Sequence, residues 1–173
     1  KGKVEVSAAD GSKQIVEGKY VIIATGARSR QLPAMPVDGK KIIGYREAMV
    51  LPEQPKSMIV VGSGVIGVEF ADFYNTMGTK VTIVEFLPRI VPVEDEDISK
   101  ELEKQFKRKG ITIMTSSEVT AVDTSGAGVK AKVKSAAGET VLEADILLSA
   151  VGIAANIENI GLEESGIKIE KGK

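Results

Sequence analysis

Three glycines and one acid stand at a spacing that suits binding chemistry: Gly62, Gly64 and Gly67, and then Glu85, 18 residues beyond the third glycine. Glycine at the first position permits a tight turn. At the second it lets backbone approach a pyrophosphate, and at the third it lets a helix pack closely on a strand. An anion at such a turn meets unpaired N–H groups and the positive end of the helix dipole. A carboxylate at the end of the following strand accepts hydrogen bonds from both hydroxyls of an adenosine ribose and repels a 2′-phosphate. Ser63, inside the turn, offers a hydroxyl near the phosphates, and Val65 and Ile66 continue the turn into the helix. The chemistry indicated is the holding of a dinucleotide diphosphate, with NAD(H) favoured over its 2′-phosphorylated form. Arg89 supports the opposite reading, as a phosphate ligand, but Glu85 holds the strand-end position and Pro88 turns the chain between them.

The glycine turn requires a buried strand before it and an amphipathic helix after it. Met58–Val61 is an apolar run, and Ile66, Phe70, Phe73 and Met77 fall on one helical face, with Gly78 as the stop. Lys80–Val84 is the next strand. Glu94–Asp97 opens a second helix, which carries Ile98, Leu102 and Phe106 on one face and closes at Lys107–Gly110. Ile111–Met114 is a third strand. From Glu118 the period changes to two: Val129, Ala131 and Val133 alternate with Lys130, Lys132 and Lys134, a half-exposed antiparallel strand. Thr140–Glu143 returns, and Ala144–Ser149 is another buried run reaching Gly152. The pattern predicts a doubly wound α/β sheet of Rossmann type, three-layered, with an antiparallel meander inserted before its last parallel strand.

Upstream, Lys3–Val6 and Gln14–Glu17 flank a hairpin signal at Ala9–Ser12. Tyr20–Ala24 reads as a strand buried on both faces, and Ala27–Pro55 reads mostly as connector. This upstream segment repeats the later one. Glu17 and Glu143, Ala24 and Ala150, and Gly26 and Gly152 are each 126 residues apart, while Val6 and Val133 are 127 apart. The repeat points to residues 1–40 as the closing part of a sister dinucleotide domain plus connector, residues 41–155 as the NAD-binding domain, and residues 156–173 as a return segment.

Composition narrows the chemistry. Of 173 residues 43% are hydrophobic and 4% aromatic, so the core is aliphatic. The net charge of -1 gives no electrostatic reason to expect nucleic acid or an anionic membrane as partner. No apolar run nears the roughly 20 residues of a membrane span. The chain contains no Cys and no His, so it supplies neither a thiolate nucleophile nor an imidazole acid–base group. A transition-metal site is not expected. The chain begins at Lys1 and reads as a piece of a longer protein.

GSGVIGVEF at 62–70, VTIVEFLPRI at 81–90 and EDEDISKELEKQFKRKGI at 94–111 resemble the NAD domain of the flavin-dependent pyridine nucleotide–disulfide oxidoreductases, above all its dihydrolipoyl dehydrogenase branch. VIIATGARSRQLP at 21–33 and LLSAVGIAANIENIGLE at 147–163 resemble the segments that leave and re-enter the family's flavin domain. The resemblance implies that Gly62–Glu69 line the path of the NAD diphosphate and nicotinamide, with Glu69 facing the nicotinamide beside the flavin. It gives Val119 a contact to adenine and Gly152 one near the nicotinamide end. Thr25, Gly26 and Ala27 would touch FAD in the intact protein. One departure is Ile153–Ala155, where family members often carry an Arg and a Pro.

For the intact protein the resemblance implies an FAD enzyme, cytoplasmic and homodimeric, that engages lipoyl domains of a 2-oxo-acid dehydrogenase complex and contributes to cell redox homeostasis. The present chain would bind NAD(H) and catalyse nothing alone, with no catalytic residue of its own. Two alternatives stay open: an NADH oxidase or peroxidase of the same fold, and a non-catalytic NAD-binding redox sensor. An upstream C-x₄-C pair would favour the disulfide enzyme, a single Cys the peroxidase.

Overall fold

A computed structural model describes residues 2–170 and 172. The elements run β1 (Lys3–Ser7), β2 (Lys13–Glu17), β3 (Ala27–Ser29), β4 (Ile42–Ile43), α1 (Tyr45–Ala48), β5 (Ser57–Val61), α2 (Val65–Thr76), β6 (Lys80–Val84), α3 (Glu96–Arg108), β7 (Thr112–Met114), β8 (Glu118–Asp123), β9 (Val129–Ser135), β10 (Gly138–Ala144), β11 (Ile146–Ser149) and β12 (Ile153–Ala155). Two compact units divide them: residues 29–153, and residues 1–28 together with 154–173. Residues 29–40 therefore belong with the larger unit, not with the segment before them. Leu32, Met35 and Val37 contribute to its core.

The larger unit is built on a five-stranded sheet in the order β4-β11-β5-β6-β7, all parallel. Its central strands are apolar on both faces, as a doubly covered parallel sheet requires. Met58, Val60, Val81, Ile83 and Leu148 face one core with Val68, Ala71, Tyr74 and Phe106 from the helices. Ile59, Val61, Val84 and Leu147 face a second core with Val119, Val129, Ala131 and Val133. Helices thus cover one face of the sheet and the expected meander β10-β9-β8 covers the other. That makes three layers. The period-2 pattern of β9 holds, with Val129, Ala131 and Val133 buried and the intervening lysines exposed.

Three local expectations are corrected. On α2 the expected Ile66 and Phe70 pack against the core partly buried, but the buried residues are Gly67, Val68, Ala71 and Tyr74, while Phe73 is 56% exposed and Met77 equally so. The helix turns its small residues inward because close packing on the sheet favours Gly and Ala over bulk. On α3, Ser99 and Phe106 are buried and Ile98 is exposed; the Ser99 hydroxyl donates to the Ile90 carbonyl at 2.6 Å. Within the expected connector, Ile42 and Ile43 form a buried edge strand on β11, and a four-residue helix follows. Two apolar residues are too short a run to show any period.

In the smaller unit β1 and β2 form the expected antiparallel hairpin. Tyr20–Ala24 is not a strand: Tyr20 is 82% and Ile22 91% exposed. A buried strand needs a neighbour to take its backbone hydrogen bonds, and none of the described strands pairs with this run. The two hairpins share one register. Val6 pairs with Gln14 as Val133 pairs with Thr140, and Lys3 pairs with Glu17 as Lys130 pairs with Glu143. Both end pairs are ion pairs, at 2.6 and 2.8 Å. Gly26 and Gly152 both have positive φ. Asn156 N–H donates to the Gly26 carbonyl, and Arg30 N–H to the Gly152 carbonyl, each at 3.0 Å. These four positions interchange under the same shift of 126 residues.

Candidate functional site

The parallel strands place Val61, Val84 and Ser149 at one end of the sheet in adjacent register. A cleft of about 840 Å³ opens there, at the carboxyl ends of the strands, where ligands bind in open α/β sheets. Gly62, Ser63, Gly64, Val65 and Ile66 form one wall, Glu85 with Phe86 and Leu87 another, and Val119 and Gly152 further sides. The sequence did not single out Arg30, Leu32–Met35, Phe86, Leu87, Ser117 or Glu118, which also line it. The 30–35 segment contains a proline and lies far off in sequence, so only the fold brings it to the cleft.

Each glycine of the turn has a distinct steric reason. Gly62 has φ +95, and a Cβ there would lie 2.5 Å from the Ala150 carbonyl oxygen. A Cβ on Gly67 would lie 2.0 Å from the Gly62 carbonyl oxygen, so Gly67 sets the closeness of helix and turn. A Cβ on Gly64 would meet nothing within 4 Å. The fold tolerates a side chain at Gly64, and its absence leaves the path open at the mouth of the helix.

The two long helices begin differently. At α3 the Asp95 side chain accepts from the Asp97 N–H, and Glu96 and Asp97 lie in the first turn. At α2 the N-cap is Gly64, with no side-chain cap and no acid in the first turn. A helix start left without an acid beside a cleft is electrostatically suited to an anion.

Glu85 follows β6 directly and is 6% exposed. Its Oε2 accepts from the Ser63 N–H at 2.7 Å and from the Ser63 hydroxyl at 2.6 Å, and its Oε1 accepts from the Leu87 N–H at 2.8 Å. An ionised carboxylate offers about four acceptor positions. Three are taken, so Glu85 has room for one further donor and not for both ribose hydroxyls. The Ser63 hydroxyl is buried against Glu85, not turned to a phosphate. Arg89 is engaged within its own loop: it donates to the carbonyls of Pro92 and Glu94 at 3.0 and 3.3 Å and lies outside the cleft lining.

Two groups of expected residues lie elsewhere. Gly67 is buried beneath the turn. Glu69 is exposed on α2 and borders a separate depression with Ala48, Met49, Phe70 and Phe73. Thr25 and Gly26 are exposed in the smaller unit and Ala27 is half-buried there. The Asn156 side chain donates to the Thr25 carbonyl at 3.1 Å. Among the described residues no cluster of acids could hold a metal ion, and no helix is long and apolar enough to cross a membrane.

A Rossmann-type sheet with an open glycine turn and a buried acid after the second strand defines a dinucleotide-binding fold. The chain belongs to the pyridine nucleotide-disulphide oxidoreductase family, which it matches over residues 1–173. It is 44% identical over 168 residues to dihydrolipoyl dehydrogenase of Zymomonas mobilis, covering 96% of this chain and 36% of that protein. It is 48% identical over 155 residues to dihydrolipoyl dehydrogenase of Rhizobium etli, covering 89% of this chain and 32% of that one. The crystal structure of LpdA from Mycobacterium tuberculosis superposes with a TM-score of 0.84 at 36% identity, over 97% of this chain and 36% of that chain. The chain thus spans about a third of the length of these relatives.

Proposed function

We propose that this chain is the NAD(H)-binding part of an FAD-dependent oxidoreductase that oxidises dihydrolipoamide with NAD⁺ as acceptor. The observation that carries the reading is the pairing of an open helix start at Gly64 with a buried carboxylate at Glu85, both lining one cleft and joined through Ser63. Backbone N–H groups of the 64–66 turn hold the diphosphate, and the Glu85 carboxylate takes a ribose hydroxyl while its charge opposes a 2′-phosphate. Val119 lies against adenine and Gly152 near the nicotinamide end. The nicotinamide, when bound, supplies the hydride chemistry. The chain's own residues position it and supply no thiol or imidazole, because Cys and His are absent.

Other assignments rest on the family. Glu69 faces the nicotinamide beside the flavin in the intact protein, and Thr25, Gly26 and Ala27 touch FAD. Residues of the longer protein would cover the exposed Tyr20–Ile23 run. Lipoyl domains of a 2-oxo-acid dehydrogenase complex are the proposed partners, the intact enzyme a homodimer, and its location the cytoplasm. The longer protein containing this chain should form NADH from NAD⁺ only when dihydrolipoamide is supplied. A Gly64→Val exchange should abolish that activity without unfolding the protein. NADH oxidation by oxygen or peroxide, with no thiol dependence, would replace this reading by an oxidase or peroxidase.

A further inference from the structure

Ser63 is the one residue of the turn whose side chain is fully buried yet polar, and it is tied to the strand-end loop at three points. Its N–H and its hydroxyl both donate to Glu85 Oε2, and its carbonyl accepts from the Val91 N–H at 2.9 Å. Val91 is buried with φ +39, a left-handed conformation that a β-branched residue rarely adopts, so the surrounding contacts must hold the loop there. The Leu87 N–H fixes Oε1 from the other side. The hydroxyl of Ser63 therefore occupies the last free position on Oε2 and leaves one acceptor position, on Oε1, for anything in the cleft.

We infer that Ser63 is a specificity-determining residue: its hydroxyl fixes the Glu85 carboxylate so that it grips a single ribose hydroxyl and keeps its charge where a 2′-phosphate would lie. The inference rests on the proposed NAD(H) site. Without the hydroxyl, Oε2 regains an unmet acceptor position and is drawn toward water. The fixed geometry that grips the ribose hydroxyl and the fixed charge that rejects the phosphate then weaken together. Neither a packing role nor a phosphate contact for Ser63 predicts that linkage. A packing residue would alter both nucleotides alike, and a phosphate ligand would weaken both alike.

The test is fluorescence titration of the chain with NADH and with NADPH, for the wild type, Ser63→Ala, Ser63→Gly, Glu85→Gln, and Ser63→Ala combined with Glu85→Gln, each checked for folding by its melting transition. NADH should bind about three- to tenfold more weakly to both single Ser63 variants, and the preference for NADH over NADPH should fall by a similar factor. In the Glu85→Gln background the serine exchange should leave that preference unchanged. Both exchanges keep the backbone donor, and the glycine variant serves as the second reading of the lost hydroxyl should the alanine variant not fold. A folded Ser63 variant that retains both affinity and preference overturns this inference alone. A wild-type chain that binds neither nucleotide overturns the proposed site, and this inference with it.

Discussion

The chain carries one sequence pattern twice, and the two copies fare differently. The apolar face of β9 and the run Leu147–Ala150 are buried: Val129, Ala131, Val133, Leu147 and Leu148 are at most 1% exposed. The hairpin β1–β2 has the same register and the same terminal ion pair, yet Val4, Val6, Ile15 and Val16 are all exposed. The run Tyr20–Ile23 matches the later one in type and is exposed as well. Pairing register is a local property, set by turn length and cross-strand contacts. Burial is a tertiary property, set by what is available to cover a face. The pattern alone specifies the first and only invites the second.

The sharpest way to break this comparison is to truncate equivalent residues. Leu148 and Ile22 are 126 positions apart. Leu148→Ala should cost about 2–5 kcal/mol in denaturant unfolding because the side chain is fully buried. Ile22→Ala should stay within about 0.5 kcal/mol. Comparable losses at both sites would show that the first copy is covered after all.

Within the turn, Gly67→Ala should destabilise by about 1–3 kcal/mol, since its Cβ would strike the Gly62 carbonyl. Gly64→Ala should leave the melting temperature unchanged and weaken NADH binding, because its Cβ meets only open space in the protein. Equal destabilisation by both would contradict separate steric roles.

A smaller difference between the copies lies after their positive-φ glycines. Arg28 follows Gly26 and donates to Glu158 at 2.5 Å, whereas Ala154 stands at the equivalent place after Gly152. The Arg28 hydrogen bond, with backbone N–H groups, pulls the Glu158 carboxyl down to about 2 from an ordinary 4.5. A lowered carboxyl favours the folded form above the ordinary value and loses that favour as pH falls through about 2. Carboxyl NMR should place the Glu158 midpoint near 2, and Arg28→Ala should return it to the usual glutamate range. The least effect is expected at the hairpin ends: Lys3→Ala and Lys130→Ala break exposed ion pairs in water and should not measurably shift melting.

Sequence reading reached furthest where a residue type answers a backbone or pairing requirement. The glycine turn, the strand before it, the acid at Glu85 and the alternation of β9 were all legible, because Gly62's positive φ and Gly67's contact admit little else. It fell short where packing chooses among apolar residues. The α2 face was read from bulky side chains, whereas the sheet accepted Gly67 and Ala71. It also fell short at Ser63: an exposed hydroxyl and one donating to a buried carboxylate look identical in sequence. The 30–35 wall of the cleft carries no motif and joins the site only through the fold.

The most direct measurement is calorimetric titration of the wild-type chain with NADH and NADPH under one buffer and salt condition. A buried Glu85 with one acceptor position left, beside the open start of α2, predicts saturable binding of NADH and markedly weaker binding of NADPH. NADPH binding as tight as NADH, or tighter, would contradict the role given to Glu85.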